Sequence, residues 1–142
     1  MISTKGRYAL RVMIDLAEHD TRQYIPLKEI AKRQEISEKY LEIILKTLVK
    51  ENLLEGLRGK GGGYRLTRAP EDYTAGEILK LAEGTLVPVA CLDESAKTCA
   101  RRKACRTLPM WEKYYSLIKD YFYGITLADL MKDPSLNEQL PT

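Results

Sequence analysis

The sequence has few of the groups on which enzymes depend. Its 142 residues include a single histidine, His19, and no Ser–His, Cys–His or paired-carboxylate arrangement stands out along it. So little acid–base apparatus predicts a protein that is not an enzyme. Long apolar runs are lacking too. The stretch at 86–92 is short and interrupted by Pro88, far below the roughly 20 residues that a membrane span needs.

The start of the chain lacks the apolar run of a secretory signal. Lys5 and Arg7 are present, but no hydrophobic segment of the required length follows them. We therefore expect a cytoplasmic protein that does not associate with membranes. Cysteine is scarce as well, and an odd number of three cysteines argues against a structural set of disulfides.

Charge is distributed unevenly along the chain. Residues 1–70 hold 14 Lys and Arg against 9 Asp and Glu, a net charge of +5, whereas residues 71–142 hold 9 against 11, a net charge of −2. A basic front half is typical of a module that binds a polyanion, because phosphate contacts need cations on one face. Imbalances of this size also occur in proteins that bind no nucleic acid.

Hydrophobic periodicity predicts three helices in the first half of the chain. The first two are expected at 5–19 and 27–33, and the third begins after Ser37 as its cap and ends near Glu51. Because only residues 34–36 separate the second helix from the third, the pair is typical of a helix-turn-helix. The core face of the third helix comprises Leu41, Ile44, Leu45 and Leu48.

Two strand-like segments, at 53–57 and 64–67, flank a basic tip in which four of five residues are glycine. Such a tip excludes a helix and allows the backbone to approach another molecule closely. A nucleotide-phosphate loop is the alternative, but its Gly-Lys-Ser/Thr motif and βαβ unit are missing. The segment therefore predicts the wing of a winged helix, which docks against the DNA backbone or minor groove. The tip includes Arg58, Gly59, Lys60 and Gly61.

A long helix is expected after residue 107. Its apolar residues step by three and four over about two and a half heptads, which is typical of a helix packed along another helix. We interpret this row as the seam of a homodimer, with packing on the helix's own domain as the alternative. A short helix at 127–131 and a polar tail are expected to follow. The seam comprises Leu108, Trp111, Tyr115, Ile118, Phe122 and Ile125.

These patterns predict a mainly α fold with a small β-hairpin. A fourth helix, capped by Thr74 and ended by Gly84, completes a winged-helix DNA-binding domain at 1–84. A cysteine-bearing sensor loop is expected at 85–107. A dimerisation helix and C-terminal tail are expected at 108–142.

All three cysteines, Cys91, Cys99 and Cys105, lie in the irregular segment 85–107. Their spacing lacks the C-x2-4-C pairs of zinc sites. Three thiolates suit an iron–sulfur cluster, and neighbouring cations would lower their pKa values. A metal-free thiol redox switch and a loop with incidental cysteines stay open as alternatives. The interleaved cations are Arg101, Arg102, Lys103 and Arg106.

Several motifs together resemble the IscR-type regulators of the Rrf family of winged-helix regulators. In order along residues 1–131 they are STKGRYAL at 3–10, ISxxYLE at 36–42, RGxGGGY at 58–64, TAGEI at 74–78, the three-cysteine loop, and ITLADL at 125–130. The resemblance implies a cytoplasmic, homodimeric transcription factor that commonly acts as a repressor. It also implies an iron–sulfur cluster, usually 2Fe-2S, ligated by Cys91, Cys99 and Cys105.

The same resemblance assigns the DNA-binding residues. It places Ser37, Lys39, Tyr40 and Glu42 on the recognition helix and residues 58–63 on the wing. Lys46, on the same helix, is expected to meet a phosphate. Two recognition helices related by a dimer axis enter successive major grooves about 34 Å apart, so the operator is expected to be pseudo-palindromic double-stranded DNA.

The fourth cluster ligand is not identified by the resemblance. The family uses a histidine three residues after the third cysteine, or a carboxylate of the partner's first helix. The matching positions here hold Leu108 and Arg7. Asp93 and Glu94 are the carboxylates near the first cysteine. A winged helix that serves as a protein-interaction module is a further alternative function.

Overall fold

A computed structural model describes residues 1–19 and 22–132. The described residues form six α-helices and one two-stranded antiparallel sheet. The predicted fold class, mainly α with a hairpin, is thereby confirmed. The elements are α1 Thr4–Glu18, α2 Leu27–Gln34, α3 Glu38–Lys50, β1 Leu54–Leu57, β2 Gly63–Leu66, α4 Ala75–Glu83, α5 Leu108–Tyr123 and α6 Leu127–Leu130.

Short polar side chains define where several helices begin. The Ser37 side chain accepts a hydrogen bond from the backbone N–H of Tyr40, and Thr74 accepts one from Glu77. Thr126 and Asp129 form a complete capping box at α6. Each such cap stabilises a helix by about 1 kcal/mol because it satisfies an otherwise unpaired N–H. The predicted helix starts at Ser37 and Thr74 are therefore confirmed.

A tight turn connects α2 to α3. The chain leaves α2 at Glu35, which takes a left-handed conformation with φ of 54°. The backbone N–H of Ile36 donates to Ala31 O at 3.1 Å, and the side chain of Ile36 is buried in the core. This turn gives the predicted helix-turn-helix.

The wing is attached to the segment that precedes α2. Strands β1 and β2 pair in the register Leu54↔Leu66 and Leu57↔Gly63. Tyr64 and Ile25 exchange two backbone hydrogen bonds of 2.9 Å. A Cβ at position 63 would overlap the carbonyl of Ile25, so glycine is required for this close approach. The hairpin is thus held against the body of the domain.

One hydrophobic core unites α1 to α4, the hairpin and α6. Tyr73 is fully buried there, and its hydroxyl donates to Leu53 O at 2.7 Å while it accepts from the N–H groups of Thr67 and Arg68. A buried hydroxyl with all these partners costs little to bury. The end of the wing is thereby fixed to the segment that leads into α4.

The C-terminal elements return to the core. Thr74 and Thr126 form an isolated bridge, Ala75 N donates to Ile125 O at 2.8 Å, and Leu127 N donates to Tyr73 O at 3.0 Å. Helix α5 lies along α4, and none of its residues is fully buried. The expected polar tail at 133–142 lies outside the described residues. No helix in the described ranges combines the length and hydropathy needed to cross a membrane.

Candidate nucleic-acid interface and cysteine loop

Helix α3 presents a polar face to solvent. Lys39, Glu42 and Lys46 are exposed, and Lys46 Nζ lies 3.2 Å from Glu42 Oε1. This pair is weak because both groups are solvated. Ser37 is exposed too, but its hydroxyl is engaged by the first turn of the helix. The face offers two cations and one carboxylate to a ligand.

Tyr40 occupies a flank of α3 rather than its outermost face. It is half-buried, and its ring packs edge-to-face on Tyr8 with centroids 5.8 Å apart. Such a pair contributes about 1 kcal/mol beyond its area burial. Tyr40 therefore joins α3 to α1, whereas Ile43 is 50% exposed. The sequence analysis did not select Ile43 as a candidate site residue, and the only signal for it is an apolar side chain outside the core face.

The wing tip is an exposed basic turn. Gly59 and Gly61 take φ values of +90° and +76°, which side-chain-bearing residues rarely adopt. Gly62 N donates to Gly59 O at 3.0 Å, and Arg58 and Lys60 on either side of Gly59 are exposed. The predicted tip residues are thus all accessible.

A cleft of about 520 Å³ separates α3 from the wing. It brings three of the predicted residues, Glu42, Lys46 and Arg58, to one site. Cations on both walls give this cleft the charge that a phosphate backbone requires. The remaining lining residues are Val49, Lys50, Gly56, Leu57 and Tyr64.

The base of the wing carries a further cation that the sequence did not single out. Arg65 Nε donates to Glu55 Oε2 at 2.8 Å, and its guanidinium lies 4.3 Å from the centroid of the Tyr24 ring. The hydrogen bond that Arg65 donates to Glu55 is the main cause of the raised pKa of Arg65. Only the three-dimensional pairing of β1 with β2 reveals this arrangement.

The cysteine loop, defined as residues 85–107, holds three free thiols. Cys91 and Cys105 are half-buried and Cys99 is exposed. Within residues 1–19 and 22–132, no group of three or more His, Cys, Asp or Glu side chains is placed to hold a metal ion. The donor types thus fit an iron–sulfur cluster, but the loop as it stands does not gather them.

Local hydrogen bonds tune one of these thiols. Cys105 Sγ lies 3.5 Å from Thr107 Oγ1. Hydrogen bonds from the side chain and backbone of Thr107 lower the pKa of Cys105, and the charge of Arg101 adds a smaller decrease. Asp93, named from the sequence as a nearby carboxylate, accepts hydrogen bonds from Ser95 N and Oγ, which lower the Asp93 pKa.

Helix α5 has two apolar rows. All residues of the predicted dimer seam are half-buried on their own chain, except Ile125, which is fully buried after the helix ends. A second row, spaced by four, three and four residues, is 42–55% exposed. The accessible apolar surface is therefore this second row, which we call the outer row. It comprises Met110, Tyr114, Leu117 and Tyr121.

The helix-turn-helix, the hairpin and the basic cleft between them define a winged-helix DNA-binding protein. A family model described as Rrf2, an iron-dependent transcriptional regulator, matches residues 2–133. The chain belongs to the Rrf2 family of transcriptional regulators. Since the family and the similar proteins regulate transcription, the prediction of a non-enzyme is confirmed.

Known relatives match over nearly the whole chain. Protein rrf2 of Nitratidesulfovibrio vulgaris is 36% identical over 135 residues, which cover 95% of this chain and 89% of that protein. The structure of CymR, the global cysteine regulator of B. subtilis, has a TM-score of 0.75 and 35% identity over 94% of this chain and 98% of its own. T. potens IscR has a TM-score of 0.73 and 36% identity over 100% and 93%. The predicted resemblance to IscR-type regulators is confirmed.

Proposed function

We propose that the protein is a cytoplasmic, homodimeric repressor of cluster-biogenesis or redox and iron-response genes, controlled by an iron–sulfur cluster on the cysteine loop. The observation that supports its DNA-reading part is the basic cleft between α3 and the wing. A double helix has alternating wide and narrow grooves separated by phosphate backbones. A helix in the major groove and a wing in the minor groove therefore place one backbone in this cleft.

The residues of the cleft have distinct roles in this proposal. Lys46 on one wall of the cleft neutralises a phosphate. Arg58 on the other wall neutralises a phosphate beside the narrow groove or enters that groove. Glu42 accepts a hydrogen bond from a cytosine amino group, and the exposed Ile43 contacts a thymine methyl group. Phosphate contacts set the orientation on the duplex, whereas Glu42 and Ile43 carry the sequence preference.

The salt dependence of DNA binding tests the wing contact. Arg58→Ala is expected to weaken operator binding and to reduce the slope of log K against log salt by about one unit, because one phosphate contact is lost. Lys132→Ala, which removes a cation next to Asp129 beyond α6, is the charge-matched control and is expected to leave the slope unchanged. An unchanged slope in Arg58→Ala contradicts the wing contact.

Cys91, Cys99 and Cys105 would hold the proposed cluster. Thiolates are the ligands of such clusters, and the hydrogen bonds with Thr107 that lower the pKa of Cys105 favour its thiolate form. When bound, the cluster would supply an oxidisable iron centre, and its loss would leave the three thiols without a shared metal. The protein's own part is to bring the three half-buried or exposed thiols together by reordering the loop.

Protein purified without air tests the cofactor directly. We expect visible absorption and about two iron atoms and two sulfides for each chain. The Cys105→Ser variant is expected to lose both, whereas Ser95→Ala, in the same loop, is expected to retain them. Colourless, iron-free protein from anaerobic cells contradicts the cluster.

A second candidate function is a metal-free thiol switch. It is favoured by the separation of the three thiols, by the lowered pKa of Cys105 and by the similarity to the cysteine regulator CymR. In this case, reversible oxidation of the iron-free protein changes its operator affinity. A reductant-reversible change in iron-free protein supports this alternative, and no change contradicts it.

A further inference from the structure

The first turn of α1 is completed by a side chain from another helix. Ser3 is the N-cap, and its side chain accepts from Gly6 N at 3.4 Å. In a capping box the third helical residue supplies a carboxylate that accepts the N-cap N–H. Here that residue is Gly6, which has no side chain. Glu83 Oε1 takes the role instead, and it accepts from Ser3 N at 2.8 Å and from Ser3 Oγ at 2.7 Å.

Gly6 provides the room for this contact. A Cβ at position 6 would overlap Glu83 Oε1, so any side chain there displaces the carboxylate. A negative charge at a helix N-terminus is also favourable, because the unpaired N–H groups carry partial positive charge. The glycine near the start of α1 therefore belongs with Glu83, 77 positions along the chain, as one interhelical capping box.

This capping box lies between the cysteine loop and the recognition helix. Glu83 is the last residue of α4, Gly84 ends that helix with φ of +85°, and the cysteine loop follows at once. On the other side, Lys5 Nζ in the first turn of α1 donates to Thr47 Oγ1 of α3 at 3.3 Å. Two short polar contacts thus connect the origin of the loop to the helix that faces DNA.

We propose that Glu83 is a positioning residue that transmits displacement of the cysteine loop through α1 to α3. The inference rests on the proposed function in taking the loop as the input and α3 as the reader, but it holds for cluster and thiol chemistry alike. When the C-terminal end of α4 moves, its carboxylate either carries the start of α1 with it or releases Ser3. In one state Glu83 holds Ser3, and in the other it releases Ser3. A displacement of the cysteine loop can shift the relative populations of these two states.

Two variants separate helix capping from transmission. Glu83→Ala removes both and is expected to lower the Tm by about 2–4 °C, the effect of losing a cap in a chain of this size. Adding Gly6→Glu to Glu83→Ala restores a local capping box and the Tm, but not the connection to α4. Shortening Glu83 removes the two atoms nearest to a Cβ at position 6, and the third, Ile2 Cγ2 at 3.2 Å, belongs to a flexible side chain near the start of the chain.

The readout is operator affinity before and after alkylation of the loop cysteines with iodoacetate, in iron-free full-length protein. For the wild type we expect a change of at least about fivefold, the lower range of measured couplings. The Gly6→Glu/Glu83→Ala variant is expected to change less than about twofold at equal Tm. Glu83→Gln keeps the Oε1 acceptor and is expected to retain most of the wild-type response.

Two results overturn the inference. Equal responses of the wild type and the double variant mean that the loop reaches α3 by another route, and an absent wild-type response means that nothing is transmitted. The proposed function is tested by different measurements, namely the iron and sulfide content and the salt dependence of operator binding in Arg58→Ala. A Glu83-dependent response in protein that never binds iron therefore supports the inference while it contradicts the cluster.

Discussion

At the scale of single residues, Asp15 is a charged side chain within the core, only 1% exposed. Arg33 donates to its two oxygens at 2.8 and 3.0 Å, and Gln34 Nε2 donates at 2.9 Å. Burial alone raises the pKa of Asp15. The hydrogen bonds from Arg33 and Gln34 and the charge of Arg33 together lower this pKa by more, so the net direction is down. These contacts tie α1 to the end of α2, directly before the turn into α3.

Asp15→Asn is expected to reduce the free energy of unfolding by about 2–3 kcal/mol at pH 7. The loss is below that of a fully buried pair because Arg33 is partly exposed and can be hydrated. The pKa of Asp15 is lower in the folded state than in the unfolded state. The contribution of its ion pair to the free energy of unfolding is therefore present above about pH 4 and is lost at lower pH. The stability difference between wild type and variant should therefore narrow as pH falls below about 4, as measured by urea unfolding.

Glu29→Gln is the matched control for Asp15→Asn. Glu29 also lies near Arg33, at 3.5 Å, but its side chain is 60% exposed. An exposed pair of this kind contributes less than about 1 kcal/mol, so the control should unfold within that margin of the wild type. A pH-independent gap for Asp15→Asn would contradict the assigned ion pair.

At the scale of elements, α5 carries both a half-buried and an exposed apolar row. Helix α5 contacts α4, and Gly76 makes room for the ring of Tyr123 at the contact. The outer row is left as an apolar surface with the four-three spacing of helix–helix seams. We expect this outer row, rather than the predicted seam alone, to form the surface between the subunits of the proposed homodimer.

Leu117→Glu places a charge in the middle of the outer row. We expect the variant to be monomeric in sedimentation at micromolar concentration and to lose most of its operator affinity, because a monomer engages one half-site. Ser116→Glu adds the same charge at an exposed neighbour outside the outer row and is expected to stay dimeric. A dimeric Leu117→Glu protein would place the subunit surface elsewhere.

Elements formed by interactions between neighbouring residues could be predicted from the sequence, whereas contacts between distant residues could not. Periodicity and caps are local, so α1 to α4 and the hairpin agree with prediction to within one or two residues. Contacts such as Asp15 with Arg33, or Glu83 with Ser3, join residues far apart in sequence. Nothing in a local pattern specifies them. The heptad of α5 likewise does not specify whether the helix packs on its own domain or on a second subunit, because the same apolar spacing suits both.

At the scale of the whole molecule, the three cysteines lie outside the hydrophobic core. None of the three cysteines is fully buried, and none belongs to the core cluster. Replacement of all three by alanine is therefore expected to change the free energy of unfolding by less than about 1 kcal/mol. The variant should bind operator with the wild-type salt slope and contain no iron, as checked by titration and metal analysis.

Leu86→Ala provides the contrast to the triple cysteine variant. Leu86 lies at the start of the same loop but is buried, so its truncation is expected to cost about 2–3 kcal/mol. If the triple cysteine variant were destabilised as much as Leu86→Ala, the loop would be part of the folding unit rather than an attachment to it.

The bridge between Thr74 and Thr126 has a mechanical consequence. It joins the beginning of α4 to the segment after α5, so the two helices are held together at that end. Helices α4 and α5 are about 13.5 and 24 Å long at 1.5 Å per residue. The cysteine loop connects the C-terminal end of α4, where Glu83 lies, to the start of α5. A contraction of this loop is therefore expected to draw these two ends together, while the bridged ends stay in place.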